Sequence, residues 1–428
     1  MRNFPGPWAR KAALPVGAGL ALVYAFGTAR YRRNSQTGYE LRDPPAPGTP
    51  AFDRLVEAVT GTAVRHGNRV QILRNGCRTF PSMLDAIAAA ETSIDLSSYI
   101  YWPGNITDQF TKLLSEKARA GLEVNLIVDA YGSAKLDRDT VTTLEDAGVT
   151  VAIFRPPAWY TLDKLNNRMH RRLLIVDGRI GFAGGVGIAD VWTGDAEDPE
   201  HWRETHAVIE GPAVRDILGG FLENWAEGAN VLLGPSHVPE LDELPDGVDV
   251  HVIRSSPRSG GTATAQLFYA AFLGARERLW VTTAYFAPDD ALLDALCTSA
   301  ANGVDVKILV NGPNIDKEVV RETGQRHYGR LLEAGVRIFE YQQTMIHAKV
   351  MIADGWANLG SSNLEHRSLG LDDELIVAFS DPELVEELVQ HFHDDLEVSE
   401  EFDLDRWRRR SLAKRAREAA GDLLRQSF

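Results

Sequence analysis

A pattern that occurs twice constrains the fold of this chain more than any other sequence feature. The second copy starts at His347, continues into a short apolar run and an Asp-Gly turn, and ends in a Gly-Ser-Ser-Asn loop. The first copy starts 177 positions earlier, at His170, and has the same order with a Gly-Gly-Val-Gly loop. Each copy therefore predicts a β-hairpin that follows a histidine.

The two copies lie inside a longer internal duplication. Segment 120–124 is similar to 302–306, and segment 146–151 is similar to 333–338. In both halves, strand patterns alternate with helix patterns, which favours an α/β fold with a largely parallel sheet. A duplicated fold with one hairpin of this kind in each half predicts a pseudo-twofold site at the interface between the halves.

The residues beside each histidine suit phosphate chemistry. Side chains two residues apart on a strand point to the same side, so Lys349 projects with His347, and Arg172 projects with His170. An imidazole can attack or carry a proton, a neighbouring cation can hold a phosphate oxygen, and a glycine-rich loop allows close approach. A lone histidine on an apolar strand is usually a core residue. Two of them in matched hairpins favour a site that acts on a phosphodiester.

The charge distribution favours lipid over nucleic acid as a partner. The chain has 428 residues and a net charge of −15, but residues 1–33 and 406–428 each carry +6, so the body between them carries −27. Such a body repels nucleic acid, whereas both ends are attracted to anionic lipid. Two cysteines without zinc-site spacing indicate neither a disulfide framework nor a metal site, and we expect no cofactor.

The regions outside the duplication predict a membrane anchor, a linker and a basic tail. Residues 12–29 form an uncharged, mostly apolar run, so we interpret residues 1–33 as an N-terminal membrane anchor in preference to a signal peptide. Residues 34–60 are polar and proline-rich and predict a linker. Residues 401–428 predict a basic amphipathic helix that binds an anionic membrane surface. The two predicted domains are then 61–235 and 250–400.

The repeated pattern resembles the HxKxxxxD signature of the phospholipase D superfamily. It is carried by His170, Arg172 and Asp177 in the first half and by His347, Lys349 and Asp354 in the second. Flanking stretches, such as TAYFAP at 283–288, resemble the bacterial cardiolipin synthase branch. The resemblance implies two duplicated phospholipase D-like α/β/α sandwich domains with pseudo-twofold symmetry. It also implies an enzyme of the bacterial inner membrane that transfers a phosphatidyl group to phosphatidylglycerol.

The resemblance implies a role for each histidine and cation. One histidine attacks phosphorus and the other protonates the departing alcohol and then deprotonates the incoming one. We expect His170 to be the nucleophile and His347 the acid/base, although the reverse is left open. Arg172 and Lys349 would stabilise charge on the phosphate oxygens. Arg172 is a departure, since the family normally has lysine there.

The same resemblance implies roles for further residues. Glu204 and Glu374 follow the histidine of their own half by 34 and 27 residues, and each is expected to orient the imidazole of that histidine. Asp177 and Asp354 belong to the catalytic signature, although their places at hairpin turns favour a structural role. The loop residues expected to bind substrate are Gly185, Ser362 and Asn363.

Other functions remain possible at this level. A phospholipase D-type hydrolase would use the same groups with water as the second substrate, and a nuclease is disfavoured by the acidic body. An inactive membrane-associated scaffold would explain Arg172 and also Gly187, which ends the first loop where the family often has asparagine.

Overall fold

The computed structural model describes residues 39–157, 166–257 and 262–411. The predicted anchor at 1–33 lies outside the described residues, as does 412–428 of the predicted tail. Within the described ranges, no helix is long and apolar enough to cross a membrane.

The described part of the first half contains five helices and seven strands. The helices are α1 (Pro50–Thr60), α2 (Gly76–Ala89), α3 (Asn105–Arg119), α4 (Arg138–Asp146) and α5 (Val214–Ala229). The strands are β1 (Val64–Arg74), β2 (Ser93–Ser98), β3 (Glu123–Asp129), β4 (Thr150–Phe154), β5 (Leu173–Val176), β6 (Ile180–Gly184) and β7 (Thr205–Glu210). Short 3₁₀ turns lie at Asp190–Trp192 and Pro235–His237.

The second half repeats this arrangement with small additions. Its strands are β8 (Val248–Ser255), β9 (Arg278–Thr282), β10 (Phe286–Ala287), β11 (Asp305–Asn311), β12 (Arg337–Tyr341), β13 (Val350–Ala353), β14 (Trp356–Gly360), β15 (Leu364–Glu365), β16 (Glu374–Phe379) and β17 (Ser399–Phe402). Its helices are α6 (Ala263–Gly274), α7 (Asp290–Ala301), α8 (Glu318–Gln325), α9 (Tyr328–Glu333), α10 (His366–Gly370), α11 (Pro382–Glu397) and α12 (Leu404–Arg408).

The two halves join in one continuous sheet. In the described chain this sheet has 15 strands in the order β17-β12-β11-β9-β13-β14-β16-β8-β1-β7-β6-β5-β2-β3-β4. At the centre β1 pairs antiparallel with β8, Val64 opposite His251, and the strand order outward from this junction is the same in both halves. The duplicated α/β architecture is therefore confirmed.

The prediction of a largely parallel sheet was wrong. Within the 15-stranded sheet, parallel pairing is confined to β2-β3-β4 in the first half and β9-β11-β12 in the second. The hairpins and the central junction pair antiparallel. Alternating strand and helix patterns indicate crossover connections, but they do not reveal the hairpins that return the chain across the sheet.

The central hairpin strands are buried on both faces. In β5, Leu173 and Ile175 face one apolar core, and Leu174 and Val176 face another. The first of these cores is shared by the two halves and includes residues of α5 and α11. Strands with helices on both faces must be apolar throughout, which explains the continuous runs in the sequence. The shared core fixes the position of one hairpin relative to the other.

The linker predicted at 34–60 is shorter than expected. Residues 50–60 form α1, in which Phe52 and Val56 lie four positions apart and are buried. Thr49 caps the helix by accepting a hydrogen bond from Phe52 N, and Pro50 occupies its first turn. The proline content that predicted a linker belongs in part to a helix start.

The basic tail predicted from residue 401 was also placed too early. Ser399–Phe402 is strand β17, which pairs with β12, and α12 follows it. Trp407 Nε1 donates to the carbonyl of Gln325 at 2.9 Å, and Arg406 pairs with Glu340. The residues up to 411 therefore belong to the folded body.

The connection between the halves is held by a buried histidine. His237 Nδ1 lies 2.9 Å from Asp95 Oδ2, and Nε2 is hydrogen-bonded to Glu123. The hydrogen bond with Asp95 is the largest contribution, and it raises the pKa of His237 to about 9. In the unfolded chain the value is near 6.5. The resulting stabilisation is therefore complete below pH 6.5 and is lost as the pH rises through about 9.

We predict that His237→Gln lowers the free energy of unfolding by on the order of 1–2 kcal/mol at pH 6 and by much less at pH 10, because only the protonated imidazole gains from both carboxylates. Denaturant unfolding at both pH values measures this. His66→Gln is the control, since the His66–Asp249 pair is exposed. An equal loss at pH 6 and pH 10 would contradict the prediction.

Candidate active site

The two motif histidines face one cavity between the halves. The cavity has a volume of about 300 Å³ and is lined by His170 and Arg172 from the first half and by His347 from the second. Each histidine immediately precedes its hairpin, β5-β6 or β13-β14. The internal symmetry of the sheet therefore places two imidazoles opposite one small volume.

The backbone around each histidine pairs with the other half of the chain. His170 N donates to Asp373 O at 3.0 Å, and His347 N donates to Arg203 O at 2.7 Å. These are two copies of one contact, and each includes a short parallel bridge, Met169 with Asp373 and Arg203 with Ile346. The residue after Asp373 is Glu374, and the residue after Arg203 is Glu204.

The same contacts decide which carboxylate meets which imidazole. His170 Nδ1 donates to Glu374 Oε1 at 2.9 Å, and His347 Nδ1 is hydrogen-bonded to Glu204 Oε2. The pairing crosses between the halves, so the expectation that each glutamate serves the histidine of its own half was wrong. The physical reason is the parallel backbone bridge between the halves, which places each glutamate beside the histidine of the other half. A carboxylate on Nδ1 leaves Nε2 with its lone pair available for phosphorus or a proton.

The two cations occupy equivalent but different positions. Arg172 donates to the carbonyl of His170 at 2.8 Å, and its second nitrogen lies 3.0 Å from His170 Nε2. Lys349 donates to the carbonyl of His347, and its Nζ lies 2.7 Å from His347 Nδ1 and 3.5 Å from Glu204 Oε2. Arg172 lines the cavity, whereas Lys349 is not among the lining residues. The longer arginine thus brings its charge to the cavity surface.

Burial keeps both imidazoles neutral. Desolvation, together with the neighbouring Arg172 charge, holds the pKa of His170 well below its ordinary value. Desolvation and the Lys349 charge do the same to the pKa of His347. Burial also raises the pKa of Glu374 to about 7 and lowers the pKa of Lys349 to about 7. Each shift reflects the cost of holding a charge away from water.

The two signature aspartates lie in the hairpin turns and not in the cavity. Asp177 accepts hydrogen bonds from the backbone N–H groups of 91–93, and Asp354 accepts them from those of 276–278. Both have positive φ, 54° and 51°. Their assignment to the catalytic set is therefore corrected to a structural role, in which a carboxylate ties the turn to the preceding loop.

The predicted substrate-binding residues do not line the cavity. A Cβ on Gly185 would lie 2.2 Å from Glu204 Oε2, so this glycine makes room for the buried carboxylate. Ser362 and Asn363 are buried, and Asn363 Nδ2 lies 3.3 Å from Glu365 Oε1. Gly185 and Asn363 thus lie beside carboxylates instead of lining the cavity, which corrects the expectation that the loop residues contact the substrate directly.

Several functional candidates were missed by sequence reasoning. Ser361 donates to Glu374 and fixes the carboxylate that holds His170. The cavity wall also contains polar residues outside the repeated signature: Lys317, Glu365, Arg367 and Asp372. The one available signal was position, since Glu365 and Arg367 directly follow the Gly-Ser-Ser-Asn loop.

Comparison with known proteins agrees with this geometry. Residues 83–216 and 269–396, one segment from each half, match the family described as "Cardiolipin synthase, PLD-like domain". The chain belongs to this family. It is 33% identical over 375 residues to cardiolipin synthase 2 of Bacillus anthracis, covering 87% of this chain and 73% of the relative. It is 32% identical over 376 residues to cardiolipin synthase of Halalkalibacterium halodurans, covering 87% and 74%.

Solved structures share the fold of this cardiolipin synthase family member. The crystal structure of phosphatidylserine synthase from Haemophilus influenzae superposes with a TM-score of 0.69 at 14% identity, covering 88% of this chain and all of that chain. Polyphosphate kinase from Porphyromonas gingivalis superposes with a TM-score of 0.54 at 11% identity, over 86% of this chain and 52% of that chain. At these identities the likeness concerns the fold alone.

We predict that Glu374→Gln changes the ¹⁵N chemical shifts of the His170 ring, and that Glu204→Gln changes those of the His347 ring. The reason is that each carboxylate orients the histidine of the other half. ¹⁵N NMR of histidine-labelled protein measures the tautomer and protonation of each ring. Each substitution should also lower turnover roughly 10²- to 10⁴-fold.

Glu210→Gln is the matched control, since that carboxylate is on the surface beside Arg69. Resonance changes confined to the histidine of the same half would contradict the crossed pairing.

Proposed function

We propose that this protein is a phosphatidyltransferase of the cardiolipin synthase type, which transfers a phosphatidyl group from one phosphatidylglycerol to the glycerol headgroup of another through a phosphohistidine. The observation that carries the proposal is the pair of imidazoles that line one cavity, each with its Nδ1 hydrogen-bonded to a buried carboxylate from the other half. Two such groups suit a reaction that needs a nucleophile and a proton carrier at once.

In the first step, His170 Nε2 attacks the phosphorus of the donor lipid. The bond from phosphorus to the glycerol oxygen breaks, and His347, protonated for this step, gives its proton to the departing glycerol. Arg172 donates to His170 Nε2 in the unliganded site, so its guanidinium must turn towards the phosphate when the attack begins. The same charge then stabilises the equatorial oxygens.

In the second step, the glycerol hydroxyl of another phosphatidylglycerol enters. His347 Nε2 takes its proton, the new oxygen–phosphorus bond forms, and the phosphorus–nitrogen bond breaks with its electron pair returning to His170. The products are cardiolipin and the regenerated enzyme. The two steps are mirror images, which suits a site built from two equivalent halves.

A bound phosphodiester brings a negative charge next to the two imidazoles. The pKa of His347 is low because burial and the Lys349 charge oppose a proton. A phosphodiester carries one negative charge, and its arrival between the imidazoles favours protonation of the histidine that must act as an acid. Lys349 Nζ contacts both His347 Nδ1 and Glu204 Oε2, so we assign it to holding this carboxylate and its imidazole.

Hydrolysis is the second candidate function, because water can replace the alcohol in the second step. The aromatic wall of the cavity, with Tyr99, Trp102 and Trp202, favours a lipid alcohol over free water. An inactive scaffold is disfavoured, since Arg172 keeps its cation in the position equivalent to Lys349.

We predict that the wild-type protein converts phosphatidylglycerol in vesicles into cardiolipin and glycerol. His170→Ala and His347→Ala should each lower turnover at least about 10³-fold with the fold intact, because each step needs both imidazoles. Lipid mass spectrometry measures the products, and labelled lipid phosphate trapped on one histidine would assign the nucleophile.

His393→Ala is the control, since His393 is exposed and does not line the cavity. Phosphatidic acid as the main wild-type product would overturn the proposal in favour of a hydrolase.

We further propose that the protein works at an anionic membrane surface of the bacterial inner membrane. Support comes from the charge distribution, with +6 in residues 1–33 against −27 in the body. The basic residues of 406–410 are in part already paired within the body, for example Arg408 with Glu333. Membrane attraction therefore depends on residues 1–33 and on the residues after 411.

We predict that protein lacking residues 1–33 still sediments with phosphatidylglycerol vesicles at low salt, and that removing 412–428 as well weakens this binding several-fold. Each basic residue near the surface contributes on the order of 1 kcal/mol, which salt reduces. Equal sedimentation of the two proteins at low and high salt would show that the tail does not bind the membrane.

A further inference from the structure

One acidic side chain in the cavity wall has no role in the two-histidine chemistry. Glu365 is 8% exposed and lines the cavity. Within the described residues, its hydrogen bond comes from Asn363 Nδ2 at a long 3.3 Å. Burial raises the pKa of Glu365 to about 7 despite the attraction of Lys317 and Arg367. A buried carboxylate with so little hydrogen bonding is costly, and a ligand that donates hydrogen bonds would remove that cost.

The first half has no counterpart of this carboxylate. Phe286 pairs with Leu364, as Tyr101 pairs with Ile188, so the residue equivalent to Glu365 is Ala189. The histidines, their glutamates and their cations, by contrast, occur in both halves. Since the catalytic groups are duplicated, a carboxylate in one half alone indicates recognition of one end of the substrate.

Other residues of the cavity wall also differ between equivalent positions of the two halves. Tyr285 occupies the place of Ile100, since Ser98 Oγ bonds to the carbonyl of Ile100 as Thr283 Oγ1 bonds to that of Tyr285. The second half therefore contributes a polar wall, which consists of Tyr285, Lys317, Glu365, Arg367 and Asp372. Besides its motif residues, the first half contributes the aromatic and apolar residues Tyr99, Ile100, Trp102 and Trp202 together with the polar residues Asn166 and Arg168, but no carboxylate.

We propose that Glu365 binds the glycerol headgroup of the alcohol partner and selects a vicinal diol over water and over simple alcohols. The proposal rests on the proposed function and names the group that recognises its acceptor. In phosphatidylglycerol the reacting hydroxyl lies at the acid/base histidine, and the one remaining hydroxyl next to it donates a hydrogen bond to the Glu365 carboxylate. Free glycerol has a further hydroxyl, which can donate to the second carboxylate oxygen. Water and monohydric alcohols have no such second hydroxyl.

The bonds in the selected step balance as in any alcohol transfer. The reacting hydroxyl gives its proton to the acid/base imidazole and forms the oxygen–phosphorus bond, and the phosphorus–nitrogen bond breaks with its electrons returning to the nucleophilic imidazole. Glu365 forms no covalent bond. By reversal of the same step, it also holds the departing glycerol of the donor lipid.

The test is a competition between two soluble acceptors for one phosphohistidine. Phosphatidylglycerol vesicles are incubated with equal concentrations of deuterated glycerol and propan-1-ol, and the ratio of deuterated phosphatidylglycerol to phosphatidylpropanol is measured by mass spectrometry. Because both products come from the same intermediate, the ratio does not depend on how fast the intermediate forms. Wild-type protein should favour glycerol, and Glu365→Gln should lower the ratio about 10-fold.

Two further variants separate recognition from structural damage. Glu365→Asp keeps the charge and should retain most of the preference, whereas Glu210→Gln on the surface should leave the ratio unchanged. An active, folded Glu365→Gln protein with the wild-type ratio would overturn the inference. A Glu365→Asp protein as unselective as Glu365→Gln would also overturn it.

The same samples keep this inference separate from the proposed function. Cardiolipin formation by the wild type is measured alongside the ratio. If the wild type forms only phosphatidic acid, the proposed function fails. If it forms cardiolipin and the acceptor ratio does not respond to Glu365, only the inference fails.

Discussion

The exchange of carboxylates between the halves is the interaction on which the site depends. Glu204 and Glu374 are fully buried, and each is held by an imidazole from the other half. A buried carboxylate without its partners is strongly destabilising, so neither half can hold its own glutamate at low cost. The parallel bridges beside the histidines and the shared core keep the halves in register. Docking of the halves and assembly of the site are therefore one event.

Burial shifts the pKa values of the titratable groups around the cavity towards their neutral forms. Burial opposes protonation of both imidazoles and of Lys349, and it also opposes ionisation of Glu374. A phosphodiester that binds between the imidazoles adds one negative charge and so favours the protonated forms of these groups. In a site with little water, that single charge acts strongly on its neighbours. The substrate thus prepares the protonation state in which it reacts.

The two halves are equivalent in their catalytic groups and differ in the residues that line the cavity wall. Histidine, carboxylate and cation recur at equivalent positions, with Arg172 in place of a second lysine. The walls differ, because Glu365 and Tyr285 stand where the first half has Ala189 and Ile100. A reaction that passes through mirror-image steps needs equal catalytic groups on both sides of phosphorus. The Glu365 carboxylate and the Tyr285 hydroxyl are outside this catalytic set, so they can differ between the halves.

The sequence by itself determined the duplication, the α/β class, both histidines and the two glutamates. Repeated patterns and the short-range spacing of His347 and Lys349 are local, so they can be detected without coordinates. Only the tertiary structure decided that Glu374 serves His170 and that Glu204 serves His347, because each pairing comes from a backbone bridge between segments that are 204 and 143 residues apart in the sequence. It also removed Asp177 and Asp354 from the site and added Glu365, since a side chain's exposure to a cavity depends on the packing of both halves. Spacing along a chain specifies which side chains share a strand face, but not which distant strand they will meet.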